Sequence, residues 1–256
     1  MCATCGCSEG ATPSLAGDPG HDHDHSVAHV HAQPLGRAIL IEQDILAKNG
    51  RLAERNRAWF ASRRIAAFNL MSSPGSGKTT LLERTIERLR GRAAVSVIEG
   101  DQETLRDAER IRGTGARAVQ INTGSGCHLD AGMVADALRA LDPARGSLLF
   151  IENVGNLVCA ALFDLGEGPK VVIASVTEGE DKPLKYPHMF RACEVLVLSK
   201  LDLLPHLQFD RERFFEYARK VNPRLRVFQL SALRGDGLEE WCSWLLERHG
   251  PRAEAR

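Results

Sequence analysis

The chain has 256 residues, and its 33 Lys+Arg balance 33 Asp+Glu, so its formal charge is zero. That excludes a general nucleic-acid binder, which needs a basic face to displace phosphate counterions. No apolar run is long enough to span a membrane, and no basic stretch leads into an apolar one as in a secretory signal, so a cytoplasmic chain is expected.

Residues 1–36 stand apart from the rest. They hold Cys2, Cys5 and Cys7 together with His21, His23, His25, His29 and His31, and few large apolar side chains. Such a stretch cannot bury enough surface to offset its ordering entropy, so a flexible, disordered tail is expected, and its Cys and His make it a metal-binding one. Over 37–64 the spacing of Ile41, Ile45, Leu46, Leu52, Trp59 and Phe60 is helical, with an interruption at Asn49-Gly50, and predicts two helices or one kinked helix. Over 65–250 short apolar runs alternate with amphipathic segments. Strands are predicted at 65–71, 93–98, 117–121, 147–152, 170–176, 194–198 and 225–230. Helices are predicted at 79–90, 104–112, 130–140, 210–220 and 236–248. This is the pattern of an α/β domain with a mostly parallel sheet covered on both faces.

The first predicted strand runs into Ser72-Ser73-Pro74-Gly75-Ser76-Gly77-Lys78-Thr79-Thr80, followed by a helix. Apart from Ser72 in place of the first Gly, this is a P-loop. Gly75, Ser76 and Gly77 turn backbone N–H groups toward phosphates, Lys78 reaches the terminal phosphates, and the hydroxyl of Thr79 suits Mg²⁺. Two further Mg²⁺ carboxylates are expected at strand ends, Asp101 and Glu152, because that hard ion prefers oxygen ligands. Glu152-Asn153-Val154-Gly155 occupies the place of the usual Asp-x-x-Gly segment, so the Gly155 amide is expected to sense the γ-phosphate.

Guanine is expected over adenine. Ser199-Lys200-Leu201-Asp202 resembles the Asn-Lys-x-Asp element, in which the carboxylate accepts from guanine N1–H and the 2-amino group, donors that adenine lacks at that edge. Ser231-Ala232 matches the downstream guanine-contacting segment. Ser199 in place of Asn is expected to loosen the pocket.

Two groups of metal ligands stand out. Cys2, Cys5 and Cys7 lie close enough in the chain to wrap one soft or borderline ion, and the tail histidines add imidazoles suited to Ni²⁺, Zn²⁺ or Cu²⁺. Cys127-His128 precedes a predicted helix, and Cys159 follows the Gly155 turn. Both stretches leave C-terminal strand ends, where ligands of open α/β sheets gather. Cys193 and Cys242 read instead as inert core thiols.

Together with Glu99-Gly100-Asp101-Gln102, Gly126-Cys127-His128-Leu129-Asp130, Glu152 through Cys159 and Ser175 through Pro183, these segments resemble the HypB family, the P-loop GTPases (of the SIMIBI class) that serve nickel insertion into nickel–iron hydrogenase. The resemblance covers essentially the whole chain. It implies slow GTP hydrolysis to GDP, nickel as the delivered metal, and a high-affinity nickel site at Cys2, Cys5 and Cys7. It also implies a weaker nickel or zinc site at Cys127, His128 and Cys159 in a homodimer interface promoted by GTP. A HypA-type metallochaperone and the hydrogenase large-subunit precursor are the implied partners. Ser199, and Ala160 where Pro commonly follows the Cys, depart from the family pattern. The urease accessory GTPases share much of this motif set but carry a Cys-Pro-His trio that is absent here. A nickel store with a vestigial nucleotide site is opposed by intact Lys78, Thr79, Asp101 and Asp202.

Overall fold

The computed structural model describes residues 34–101, 106–124 and 126–249. The tail, with Cys2, Cys5, Cys7 and its histidines, lies outside the described residues. The chain divides into two units, Met1–Lys48 and Asn49–Arg256. The described part of the first is the opening stretch of helix α1, Pro34–Arg63.

Of the two helices or one kinked helix expected around Asn49-Gly50, a single helix forms. Asn49 is buried and tied into tertiary structure: its Nδ2 donates to the Asp164 carbonyl at 2.7 Å, and its Oδ1 accepts from the Ala131 N–H at 2.9 Å. Gly in a helix interior costs about 1 kcal/mol relative to Ala, and packing outweighs it. The helix starts at Pro34, inside the stretch read as tail, because Pro suits a first helical turn, where N–H groups have no intrahelical partner.

Beyond α1 the chain forms β1 (Ala66–Ser72), α2 (Lys78–Leu89), β2 (Val95–Asp101), α3 (Arg106–Gly113), β3 (Arg117–Asn122), α4 (Ala131–Leu141) and β4 (Leu148–Glu152). There follow α5 (Cys159–Leu162), β5 (Lys170–Ser175), α6 (Lys182–Lys185), α7 (Pro187–Ala192), β6 (Val195–Ser199), a 3₁₀ turn at Leu201–His206, α8 (Arg211–Val221), β7 (Arg226–Gln229) and α9 (Leu238–His249). All seven strands join one parallel sheet in the order β3-β2-β4-β1-β5-β6-β7.

The sheet is buried on both faces, which is why its central strands read as apolar runs. On one face Phe68, Phe150 and Val197 pack against Leu82, Ile86 and Leu89 of α2 and against Trp241 and Trp244 of α9. On the other, Ile98, Leu149 and Ile151 meet Phe60 of α1 and Val134, Leu138 and Leu141 of α4. Further along that sheet Val172 and Leu196 cluster with Phe190 of α7 and Phe214 of α8. The chain order makes β1 the switch point. Strands β2 to β4 lie to one side of it and β5 to β7 to the other, so the loop leaving β1 opens into a crevice at the carboxyl ends of the strands.

Within the second unit, the part of α1 from Asn49 on is held by close backbone approach. A Cβ on Gly166, where φ is +88°, would stand 2.4 Å from the Ala53 carbonyl oxygen and 2.6 Å from Asn56 Cβ. Nearby, Asn56 Nδ2 donates to the carbonyls of Ala131 (2.8 Å) and Leu165 (3.0 Å), joining three segments through one buried amide. Gly166→Ala should therefore destabilise the protein by more than about 2 kcal/mol in chemical denaturation. Gly146→Ala has a positive φ but open space around it, so it should cost only the left-handed strain of about 1–2 kcal/mol.

Candidate functional site

A cleft of about 550 Å³ lies over the carboxyl ends of β1, β2 and β4, lined by the whole loop Ser72–Thr80 with Glu99, Gly100, Asp101, Asp107, Arg110, Val154, Gly155 and Lys200. The loop takes its shape from left-handed glycines: φ is +75° at Gly75 and +93° at Gly77, which caps α2. Ser72, the departure from the generic pattern, is the last residue of β1 and fully buried, its hydroxyl donating to the Ser73 carbonyl at 2.7 Å.

Glu152 organises the floor of the cleft. It ends β4, beside β1, and is 1% exposed. Its Oε1 accepts from the Thr79 hydroxyl at 2.7 Å and pairs with Lys78 Nζ at 3.1 Å. Its Oε2 and Glu99 Oε2 are buried with no hydrogen-bond donor. Carboxylate oxygens of Glu99, Asp107 and Glu152 all lie within 4.8 Å of one another. Burial, then the negative charge of Glu152, pushes the Glu99 carboxyl up to about 8. Orphaned carboxylate oxygens beside a Thr hydroxyl are an all-oxygen donor set, and they fit Mg²⁺. Asp101 closes β2 at the rim, its carbonyl accepting from the Thr123 N–H at 3.0 Å.

The guanine elements meet the P-loop from the other side. Ser199 Oγ donates to the Ser76 carbonyl at 2.7 Å, so the residue expected to loosen the pocket ties β6 to the phosphate loop. Lys200 is held at φ +59°, and its Nζ donates to the Gly75 carbonyl at 2.6 Å. Asp202 accepts from Ser231 Oγ at 2.5 Å, joining the two segments expected to read the base, with Ala232 next in the chain. Gly155 sits against the loop as well: a Cβ there would stand 3.0 Å from Pro74 Cγ.

Cys127, His128 and Cys159 come together as a second constellation, with Sγ, ring N and Sγ within 4.8 Å of one another and Cys127 Sγ 3.6 Å from His128 Nδ1. The His128 ring stacks on Phe163 at 3.9 Å between centroids. Burial lowers its proton affinity, against the pull of Asp130, which favours the neutral imidazole that ligates metals. Asn156 Oδ1 accepts from the Val158 and Cys159 N–H groups at 2.7 and 3.2 Å and sets the start of α5. Two thiols and an imidazole suit a borderline cation such as Ni²⁺ or Zn²⁺. Cys193 and Cys242 are buried, and desolvation raises both thiols.

Several residues of the site escaped sequence reasoning. Glu99 lies in a strand whose apolar pattern hides it, although an acid in such a run is itself a signal. Asp107 and Arg110 sit on a surface helix. The Arg110 guanidinium bonds Thr80 Oγ1 at 3.1 Å and is also held by Glu83 and Asp107. Phe163 is an ordinary apolar residue until the fold stacks it on His128.

A P-loop at the switch point of a parallel sheet, with paired acids beneath it, defines a nucleoside-triphosphate-binding protein. The family model for the nucleotide-binding domain of CobW/HypB/UreG matches residues 66–229. The hydrogenase maturation factor HypB of Azotobacter vinelandii is 52% identical, covering 100% of this chain and 95% of its own. The structure of HypB from Archaeoglobus fulgidus superposes with a TM-score of 0.75 at 41% identity, covering 80% of this chain and 100% of its own. That of Helicobacter pylori HypB in complex with nickel gives 0.74 at 38% identity, covering 79% and 95%. The chain belongs to the CobW/HypB/UreG family, on its HypB branch.

The Glu99 carboxylate faces the same space as Glu152, so Glu99→Gln should weaken Mg²⁺-supported nucleotide binding about 10-fold or more, the usual scale for groups supporting a metal. A Mg²⁺ titration at fixed nucleotide checks this, and an unchanged midpoint would remove Glu99 from the site.

Proposed function

We propose that the protein is a slow GTPase that gates nickel delivery to the hydrogenase large-subunit precursor, receiving or passing the metal through a HypA-type metallochaperone. The observation that carries this reading is the Glu152–Cys159 segment. One end bonds the phosphate-loop residues Lys78 and Thr79, Gly155 lies against Pro74, and the other end supplies a thiol to the Cys127–His128–Cys159 cluster. The hydrogenase maturation role of its relatives and the nickel complex of one of them support the metal and its destination.

In this reading Gly75, Ser76, Gly77, Lys78, Thr79 and Thr80 bind the phosphates, and Lys200, Asp202, Ser231 and Ala232 hold guanine. Thr79, Asp101 and Glu152 would hold Mg²⁺, which would offset negative charge on the phosphates. Before nucleotide enters, Lys78 is neutralised by Glu152. Phosphates would compete with Glu152 for that ammonium, while Glu152 Oε2, which has no donor, would face the cation. Gly155 turns its amide toward the γ-phosphate. Among the described cleft residues Arg110 is engaged by its own acids, and none is a Gln placed to orient water, which suits slow turnover resting on positioning and charge. Cys2, Cys5 and Cys7 hold nickel in the tail. Cys127, His128 and Cys159 form the switched site, nickel or zinc, at a homodimer interface that GTP promotes, in a cytoplasmic protein. No helix of the described residues is long and apolar enough to cross a membrane.

Two experiments test this. Wild-type protein should turn over GTP in preference to ATP, because adenine leaves the Asp202 carboxylate poorly paired at about 1–3 kcal/mol, and Asp202→Asn should shift preference to xanthine nucleotides. Equal turnover of ATP and GTP would sink the guanine assignment. Lys78→Ala should abolish turnover while tail nickel binding persists, since the two sites share no ligand. Loss of both together would show that they are not separate.

A further inference from the structure

A chain of buried amides runs between the two sites, and neither chemistry uses it. Asn153 follows Glu152 directly and is fully buried. Its backbone N–H donates to the Leu70 carbonyl at 3.0 Å, which carries the β1–β4 pairing one residue beyond the strand. Its side-chain Oδ1 accepts twice, from the Leu129 N–H at 3.2 Å and from the Val154 N–H at 3.0 Å. Its Nδ2 lies 3.4 Å from Asn69 Oδ1, and Asn69 Nδ2 donates to Glu167 Oε1 at 3.1 Å. Glu167 is anchored in turn by the Leu165 N–H at 2.7 Å.

The two N–H groups on that one oxygen belong to different sites. The Leu129 N–H is part of the peptide that leaves the metal ligand His128. The Val154 N–H lies one residue before Gly155, which rests on Pro74 of the phosphate loop. Asn69 and Asn153 stand where β1 and β4 otherwise present apolar groups to the core, and a buried amide is unfavourable there unless fully bonded. We infer that Asn153 is the positioning residue that couples nucleotide state to metal affinity at Cys127, His128 and Cys159, an inference resting on the switch reading above. Rotation of the Asn153–Val154 and Val154–Gly155 peptides toward a γ-phosphate alters one of the two bonds on Asn153 Oδ1, that from the Val154 N–H. The other bond transmits the shift to the His128 peptide. Cys159 is set independently by Asn156, so the His128-to-Cys159 spacing changes, and metal–ligand distances tolerate only about 0.2 Å.

The test uses the full chain with Cys2, Cys5 and Cys7 replaced by Ser and the five tail histidines by Gln, so that thiolate-to-metal charge transfer reports the cluster without competition from the tail. Co²⁺ is titrated with GDP and with a non-hydrolysable GTP analogue. The parent should show affinities differing by about 5- to 150-fold between the two states. Asn153→Ala should bring that ratio to within about 2-fold while nucleotide affinity stays within about 3-fold, a change of coupling and not of binding. A ratio preserved in Asn153→Ala would overturn the inference and leave the switch intact. Equal affinities in the parent would overturn the switch and the inference with it. Should Asn153→Ala not fold, amide exchange at Leu129 in the parent decides. Protection that differs between nucleotide states supports the coupling, and identical protection alongside nucleotide-dependent Co²⁺ affinity refutes it.

Discussion

The Glu152 carboxylate is the constraint on which the site depends. It sits at the end of a fully buried strand, and a buried charge is tolerated only when paired and hydrogen-bonded. Lys78 and Thr79 supply that pairing through one oxygen and leave the other open. The Lys78 ammonium is thereby paired as well, so that neither charge of the loop floor stands alone. The fold makes this possible by placing β4 directly beside β1, so that one carboxylate reaches both the loop lysine and the first turn of α2.

Most of the architecture was legible because this sheet is covered on both sides. Strands buried on both faces read as apolar runs bounded by polar loops, and all seven predicted strands occur close to their expected ends. Helices α2, α3, α4, α8 and α9 carried enough turns to show periodicity. Helices α5, α6 and α7 and the 3₁₀ turn escaped because elements of four to six residues offer too few positions for a 3.6-residue period to register. That α1 is one helix and not two has a different reason. Asn49-Gly50 is a local breaker signal, and long-range bonds from Asn49 to the segments at Asp164 and Ala131 outweigh it.

Within the site, the legible residues were those whose chemistry announces itself. Lys78, Thr79, Asp101, Glu152, Lys200 and Asp202 belong to spaced motifs, and Cys127, His128 and Cys159 are ligand types at strand exits. What the spacing could not show was the wiring. That Ser199 bonds the Ser76 carbonyl, or that Phe163 orients His128, depends on which loops the sheet order brings together. Asn69 within β1 and Asn153 just past the end of β4 left a faint trace as amides beside apolar runs, but their meaning rests on partners far away in sequence.

The size of the effect available to such wiring can be bounded. A net hydrogen bond contributes about 0.5–1.5 kcal/mol, and leaving a buried acceptor or donor unpaired costs about 1–3 kcal/mol. Coupling between two ligand sites is ordinarily about 1–3 kcal/mol. One or two amide bonds made in one nucleotide state and weakened in the other therefore suffice, and no large domain rotation is required. The same arithmetic sets a limit. A lever built from Asn153 cannot drive the metal wholly on or off, since moving an equilibrium from 1:99 to 99:1 takes about 5.5 kcal/mol. Full release therefore needs a further contribution, and a second copy of the chain meeting the first across the same segment, or a metal-accepting partner, would supply it by binding one state better than the other.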